Sequence, residues 1–341
     1  MNAHVEEKDC HCHVSWESLE KAAGRRPSSI MAAAHLQPHL RTTSSICIVQ
    51  AEDRPLLRDL ATTTSNGPVG TTGMSGLLET NRLLCQADSN CSYVRHDSAY
   101  KEVEPHWRKV FIASHVLNTT RCPAIAWLDS DAVLGDKPSN LLSLLRPVRA
   151  AGTSIEQATD HRYVWPSGAR RPPAISRPSE IHMVVAGEGD VYNHNLSPFN
   201  AGVWIVANTR IGRALMARWC GVYTETASKY WKRDLAGKHT GQDDLSWQCV
   251  QPDERPRADK GATRACDFSK EHYEQGAFVQ HVLTKAPFVK NIRQVPWAVL
   301  QSPHIHPMVH HFIGPPKTKD RYMKDFFKYR GERARVVRES R

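Results

Sequence analysis

Two carboxylates one residue apart, Asp129 and Asp131, close a short apolar run over residues 125–128 that reads as a buried strand. Residues i and i+2 of a strand face the same side, so the pair can converge on one point. At a strand end in a parallel α/β sheet, where ligands bind, convergent carboxylates make a hard-cation site. Mg²⁺ and Mn²⁺ suit such a site, held by one or two carboxylates and completed by substrate phosphates. The plainer alternative is a pair of acids opening a loop.

The elements that must position this pair are legible on both sides of it. Residues 45–50 form an apolar run suited to a first strand, residues 62–76 a Gly/Thr/Ser-rich loop, residues 77–86 a helix and residues 91–95 a second strand. Glu104 and Pro105 open a helix through residue 117, with Pro early, where its missing N–H costs little. Strand, helix, strand, helix, strand implies a parallel sheet covered by helices, an α/β class. No Gly-x-Gly-x-x-Gly or Walker loop follows the first strand, which argues against a dinucleotide fold or a P-loop NTPase. Further on, residues 181–186 and 202–207 read as strands, 211–223 as an amphipathic helix offering Leu215, Met216 and Trp219 for packing, and 275–283 as a helix. Residues 310–314 close the ordered part. Residues 1–43 show no sustained periodicity and read as an extension; 44–316 form a single domain interrupted by polar excursions at 146–180 and 251–270; 317–341 are a basic tail.

The chain has 341 residues, a hydrophobic fraction of 40% and an aromatic fraction of 8%, which suits a globular protein with a packed core. No apolar stretch approaches the ~18 to 20 residues that cross a bilayer, and no secretory signal is readable, so the chain as written reads as cytoplasmic. The tail carries ten Lys/Arg against four Asp/Glu, hence +6 of the net +10. It could meet anionic lipid weakly, or simply be solvated. No specific nucleic-acid contact is expected, because neither an aromatic-interleaved basic motif nor zinc-finger spacing occurs. The nine cysteines are scattered without a paired framework, and Cys10, His11, Cys12 and His13 lack a second ligand pair at zinc spacing. Asn118 and Asn90 begin N-glycosylation sequons, which matter only if the chain reaches a lumen.

Several segments resemble, in order, the motifs of GT-A-fold glycosyltransferases. Residues 127–132 resemble the Asp-x-Asp motif. Residues 199–206, with Asn200, Ala201, Gly202 and Val203, resemble the Asn-Gly-Val strand that precedes a helix. Glu274 and Gln275 resemble the acidic-Gln segment opening a late helix, and residues 311–317 the terminal His-Phe-x-Gly motif with its downstream Lys. The nearest family is the retaining α-galactosyl and α-mannosyl transferases of fungi and the xyloglucan xylosyltransferases of plants. The resemblance spans residues 45–317. It implies one GT-A, Rossmann-like domain with a mainly parallel central sheet.

The resemblance also implies roles. Asp129, Asp131 and His311 would hold Mn²⁺ or Mg²⁺, an imidazole ligand favouring Mn²⁺. Gln50, Lys109, Asp129, Ser130, Asn200 and Gly202 would bind the donor, with Gly202 admitting close backbone approach. Lys317 would neutralise the diphosphate leaving group, and Glu274 and Gln275 would face the transferred sugar. Glu274 departs from the family's usual Asp by one methylene. The activity expected is transfer of a hexose or pentose from a nucleoside-diphosphate sugar, UDP-linked, to a glycan or glycoconjugate, with retention. A sugar-nucleotide- or glycan-binding module without turnover is the alternative; a phosphohydrolase is disfavoured by the lack of further clustered ligands. The family's membrane anchor is absent from the sequence, so a Golgi or ER location would need an anchor lying outside it.

Overall fold

In the computed structural model, the described residues are 45–51, 74–96, 100, 103–135, 137–146, 181–187, 199–233, 247–249, 270–285, 288–303, 307–313, 317–319 and 321–328. A six-stranded sheet runs through them. Its strands are β1 (Ile46–Ala51), β2 (Cys91–His96), β3 (Ala124–Leu128), β5 (Met183–Ala186), β6 (Val203–Ala207) and β9 (Ile292–Val295), in the order β2-β1-β3-β6-β5-β9. Every neighbouring pair is parallel except the two that β6 makes, with β3 and with β5. This is the mixed, mainly parallel α/β sheet expected from the sequence. Two short antiparallel pairs stand apart: β4 (Ala132–Leu134) with β10 (Val309–His311), and β7 (Trp231–Arg233) with β8 (Trp247–Cys249). None of β4, β7, β8 or β9 is visible in the apolar pattern, because strands of three or four residues are too short to show a period.

Successive strand residues point to opposite faces, and the core divides accordingly. Cys47, Val49, Ile125, Trp127, Met183, Val185, Trp204 and Val206 face one side, where they meet helices α2 (Pro105–Thr119) and α3 (Arg210–Glu225). Ile46, Ile48, Ala124, Ala126, Val184 and Ile205 face the other, against Cys85 of α1 (Met74–Ala87), the 3-10 turn Pro138–Leu145 and β10. Burial on both faces is why these strands read as unbroken apolar runs rather than alternating ones. On the first side Trp204, Trp219, Phe199 and Phe278 form an aromatic cluster with ring centroids 4.4–5.6 Å apart.

Local chemistry sets the helix starts. Glu104 caps α2 by accepting the His106 backbone N–H at 3.0 Å, with Pro105 next in line. Thr209 caps α3 through the Gly212 N–H. The late helix starts at Glu274 as expected but is α-helical only for α4 (Glu274–Phe278), then widens into a π turn over Val279–Leu283. After β9 comes the single turn α5 (Trp297–Leu300). Residues 321–328 are helical, and Met323 and Phe326 pack against Leu77, Val133 and Phe312.

The cysteines correct the sequence reading, for a paired framework exists. Cys47 of β1 is bonded to Cys122 just before β3, and Cys85 of α1 to Cys91 of β2. Cys249 is also disulfide-bonded, while Cys220 is a buried thiol whose Sγ donates to the Val110 carbonyl at 3.7 Å. Sequence separations of 75 and 6 share no spacing rule, so only the tertiary fold brings these partners together. The Cys10–His13 tract, residues 147–180 and 251–269 of the two excursions, and residues 329–341 lie outside the described residues.

Candidate active site

The odd strand builds the site. Because β6 runs antiparallel to β3, Leu128 at the end of one pairs with Val203 at the start of the other. The turn before β6 therefore lies beside Asp129, whose N–H donates to the Gly202 carbonyl at 2.8 Å. The second antiparallel pair brings in the chain's far end: His311 pairs with Ala132, and the Phe312 N–H donates to the Asp131 carbonyl at 3.0 Å. Carboxylate oxygens of Asp129 and Asp131 and a ring nitrogen of His311 thus lie within 4.8 Å of one another. The family resemblance groups these three as metal ligands, and the fold brings their side chains to one point.

Each member has a defined environment. Asp131 is buried; its Oδ1 lies 3.2 Å from His311 Nε2, and its Oδ2 accepts from Lys319 Nζ. Burial alone would raise the Asp131 carboxyl, but His311 and Lys319 hold it well below the usual carboxylate range. Asp129 is partly exposed and accepts from Trp127 Nε1 at 2.7 Å and Lys109 Nζ at 2.9 Å. His311 is oriented from behind by Gln301. The fully buried Gln301 donates through Nε2 to the Asn200 carbonyl at 3.0 Å, which leaves Oε1 to face His311 Nδ1, also at 3.0 Å. Nδ1 must then carry the hydrogen, and Nε2 is the ring nitrogen turned toward the aspartates. Gly202 lies flat on this ring: a Cβ there would stand 2.0 Å from His311 Cε1. Two carboxylates and an imidazole with its rear nitrogen already satisfied fit a divalent cation.

Lys109 links the metal side to a second buried acid. Its ammonium lies 3.4 Å from Glu274 Oε1 as well as against Asp129. Burial alone would lower the Lys109 pKa, but Asp129 and Glu274 raise it, so the ammonium stays charged. Glu274 is buried, its Oε2 has no hydrogen-bond partner, and burial raises its pKa against the pull of Lys109 and His106. Behind it, His106 Nδ1 pairs with the buried Glu104 at 2.6 Å. Burial opposes protonation there, but Glu104 and Glu274 prevail and lift His106 to about 9. Tyr273, edge-on to His106, is pushed up to about 12 by burial and by the same two acids.

Other residues singled out from the sequence take bracing positions. Gln50 is fully buried, its Nε2 donating to the Asp129 carbonyl at 3.1 Å and its Oε1 accepting from Asn81 and Tyr93. Its amide therefore holds the carboxylate loop from beneath. Asn200 Oδ1 accepts from the Gly202 N–H at 2.8 Å, and Gln275 Oε1 from the Ala201 N–H at 3.2 Å, so both shape the turn beside Asp129. Ser130 is buried between the two aspartates in the chain. Lys317 is exposed; the lysine that reaches Asp131 is Lys319, two residues on. Sequence reasoning passed over Lys319, Gln301, Asn81 and the Glu104–His106 pair. Lys319 sat in the same basic tail as Lys317, and Gln301 ends an apolar stretch, a position where a polar side chain needs partners. Asn81 carried no signal. It donates to the Ala132 carbonyl at 3.0 Å and accepts from the Leu134 N–H at 2.8 Å, fixing β4.

No family model matches the chain, nor does any curated protein. Among solved structures, the chain is similar to a glycosyltransferase involved in glycosylation of the major capsid of PBCV-1. Identity is 13% and the TM-score 0.44, over 82% of this chain and 98% of that one. It is also similar to the glycosyltransferase GlyE of Streptococcus pneumoniae TIGR4, at 12% identity and TM-score 0.31, over 80% of this chain and 55% of that one. The apo form of GlyE aligns at 11% identity and TM-score 0.27, over 59% of this chain and 41% of that one. At those values function has to be read from the side chains.

Proposed function

We propose that this chain is a metal-dependent glycosyltransferase of the GT-A class that uses a UDP-sugar and transfers the sugar to a glycan or glycoconjugate with retention. The observation that carries the reading is the convergence of Asp129, Asp131 and His311 beside a Lys109–Glu274 pair whose carboxylate keeps one unpartnered oxygen. A cation bridge to a diphosphate and a buried carboxylate near the sugar are the two things this reaction needs.

Asp129, Asp131 and His311 would hold Mn²⁺ or Mg²⁺, which supplies positive charge against the diphosphate as it departs. Lys319 takes the role first given to Lys317: its ammonium already lies at the carboxylate cluster and is placed to neutralise phosphate oxygens. The Asn200–Gly202 turn, braced by Gln275, forms the wall beside Asp129 against which the sugar docks. Glu274 offers negative charge to the anomeric carbon as it becomes oxocarbenium-like. The bond from that carbon to the diphosphate oxygen breaks, the acceptor hydroxyl oxygen bonds to the carbon, and the hydroxyl proton leaves on the diphosphate. Burial raises the Glu274 pKa, and the Lys109 ammonium opposes that rise.

Calorimetric titration with UDP, with and without Mn²⁺, tests the binding half, and release of UDP from a panel of UDP- and GDP-sugars tests turnover. Metal-dependent UDP binding that is lost in an Asp129→Asn/Asp131→Asn double variant is expected. Wild-type-like binding by that variant would sink the reading. Tight UDP binding with no UDP release from any donor would instead make the chain a binding module. An NMR assignment of the product anomer as β from an α-linked donor would remove retention alone.

A further inference from the structure

We propose that Asn118 is the acceptor for an N-linked glycan, added in an oxidising lumen where the chain also forms its disulfides. Two independent observations meet here, and neither depends on the glycosyl-transfer reading.

The first is the cysteine pairing. Disulfides Cys47–Cys122 and Cys85–Cys91, with Cys249 in a further one, account for five of the six described cysteines, the sixth being the buried thiol Cys220. Structural disulfides persist in oxidising compartments and are rare where glutathione and thioredoxin keep thiols reduced. The first pair joins β1 to the segment leading into β3, so it staples the strand that carries the aspartates. Both bonds lie within the folded part and are not confined to an exposed loop.

The second is the setting of the sequon Asn118, Thr119, Thr120. It occupies the last turn of α2 and the residue that ends it. Asn118 and Thr119 are exposed, as are His115 and Arg121 on either side, so a large polar substituent has open space. Lys109 lies nine residues earlier on the same helix, about 13 Å away along its axis, so a glycan at Asn118 stays clear of the carboxylate cluster. Asn118 Nδ2 donates one hydrogen bond, to the Ser114 carbonyl at 2.9 Å. A glycosylated carboxamide keeps one N–H, so this bond survives modification. The sequon at Asn90 is less suited. Asn90 is half-buried, its backbone N–H bonds Asp88 and its carbonyl accepts from Ile46, and the middle residue, Cys91, is tied to Cys85.

The chemistry balances with a lipid-diphosphate-linked oligosaccharide as donor. Asn118 Nδ2 attacks the anomeric carbon, the bond from that carbon to the diphosphate oxygen breaks, the N–C bond forms, and one amide proton leaves with the lipid diphosphate. Asn195 begins a third sequon outside the described residues, so the test must localise the sugar.

The full chain, directed into the secretory pathway of a eukaryotic cell by an added cleavable signal, is treated with peptide N-glycosidase in heavy-oxygen water and mapped by mass spectrometry. Asn118 is expected to appear as heavy-labelled Asp, in a protein with the two disulfides intact. The label should vanish in Asn118→Gln and in Thr120→Ala and persist in Thr120→Ser, which keeps the sequon hydroxyl. An unlabelled Asn118 peptide from protein with both disulfides formed overturns the proposal. So does a gel shift on deglycosylation that is undiminished in Asn118→Gln and Thr120→Ala, since the sugar would then lie elsewhere.

Discussion

Gln301 Oε1 and His311 Nδ1 stand 3.0 Å apart, and the direction of that hydrogen bond is dictated from the other end of the amide. Because Gln301 Nε2 donates to the Asn200 carbonyl, only the oxygen is left to face the imidazole. Outer partners of this kind hold a ligand in one tautomer, and their loss typically weakens metal binding about 10- to 100-fold. Gln301→Leu should therefore lower Mn²⁺ affinity by that factor in calorimetric titration, while Gln301→Glu, which keeps an acceptor for Nδ1–H, should lose less. Nitrogen NMR of His311 should report the Nδ1–H tautomer in the wild type. Unchanged Mn²⁺ affinity in Gln301→Leu would show that Gln301 only fills space.

The two lysines of the 317–319 turn should separate cleanly. Lys319 is ion-paired with Asp131, whereas Lys317 is exposed. Removing one preorganised charge that meets the departing diphosphate costs about 100-fold in turnover. Lys319→Gln should reduce kcat for donor cleavage by about that factor with a smaller change in UDP affinity, and Lys317→Gln should remain near wild type. The reverse ranking would return the role to Lys317.

Glu274→Gln separates stability from chemistry. The amide removes a buried carboxylate with an unpartnered oxygen, and Lys109 keeps its pair with Asp129. The melting temperature should not fall, because desolvating a charge costs more than desolvating an amide. Turnover should fall by at least about 100-fold, with UDP binding retained. Retained turnover would exclude Glu274 from the reaction.

His106 makes folding stability pH-dependent on the alkaline side. The folded-state pKa is raised to about 9 by Glu104 and Glu274 against burial, above the roughly 6.5 of an unfolded chain. A raised imidazole pKa contributes stability that is fully present below about 6.5 and is lost as pH rises through about 9. Urea melts of wild type and His106→Asn should therefore differ most at pH 6 and converge by pH 10. Its half-exposed ring keeps the difference modest. A difference that grows with pH would contradict the assignment.

Much of this architecture is legible in the residues themselves. The apolar runs that became β1, β3, β5 and β6, the helices at α1, α2 and α3, the Glu104–Pro105 start of α2 and the terminal position of Asp129 and Asp131 follow from hydrophobic pattern and local chemistry. The family resemblance, rather than a local rule, marks Glu274 as the start of the late helix. Local rules do not reach β9, the β4–β10 pair or the π turn, whose short spans owe their form to neighbours distant in the chain.

Composition and spacing by themselves determined an α/β chain with two acids at the end of a buried strand. Only the tertiary structure decided what surrounds those acids. Antiparallel pairing of β6 with β3 and of β10 with β4 joins residues as far apart as Asp131 and His311, a separation of 180 positions that no local period encodes. The same long-range packing set Lys319 against Asp131, turned Gln50 inward under the carboxylate loop, and set Gln301 behind His311. Hydrogen-bond direction at a buried amide depends on every partner around it, and those partners come from parts of the chain that meet only when it folds.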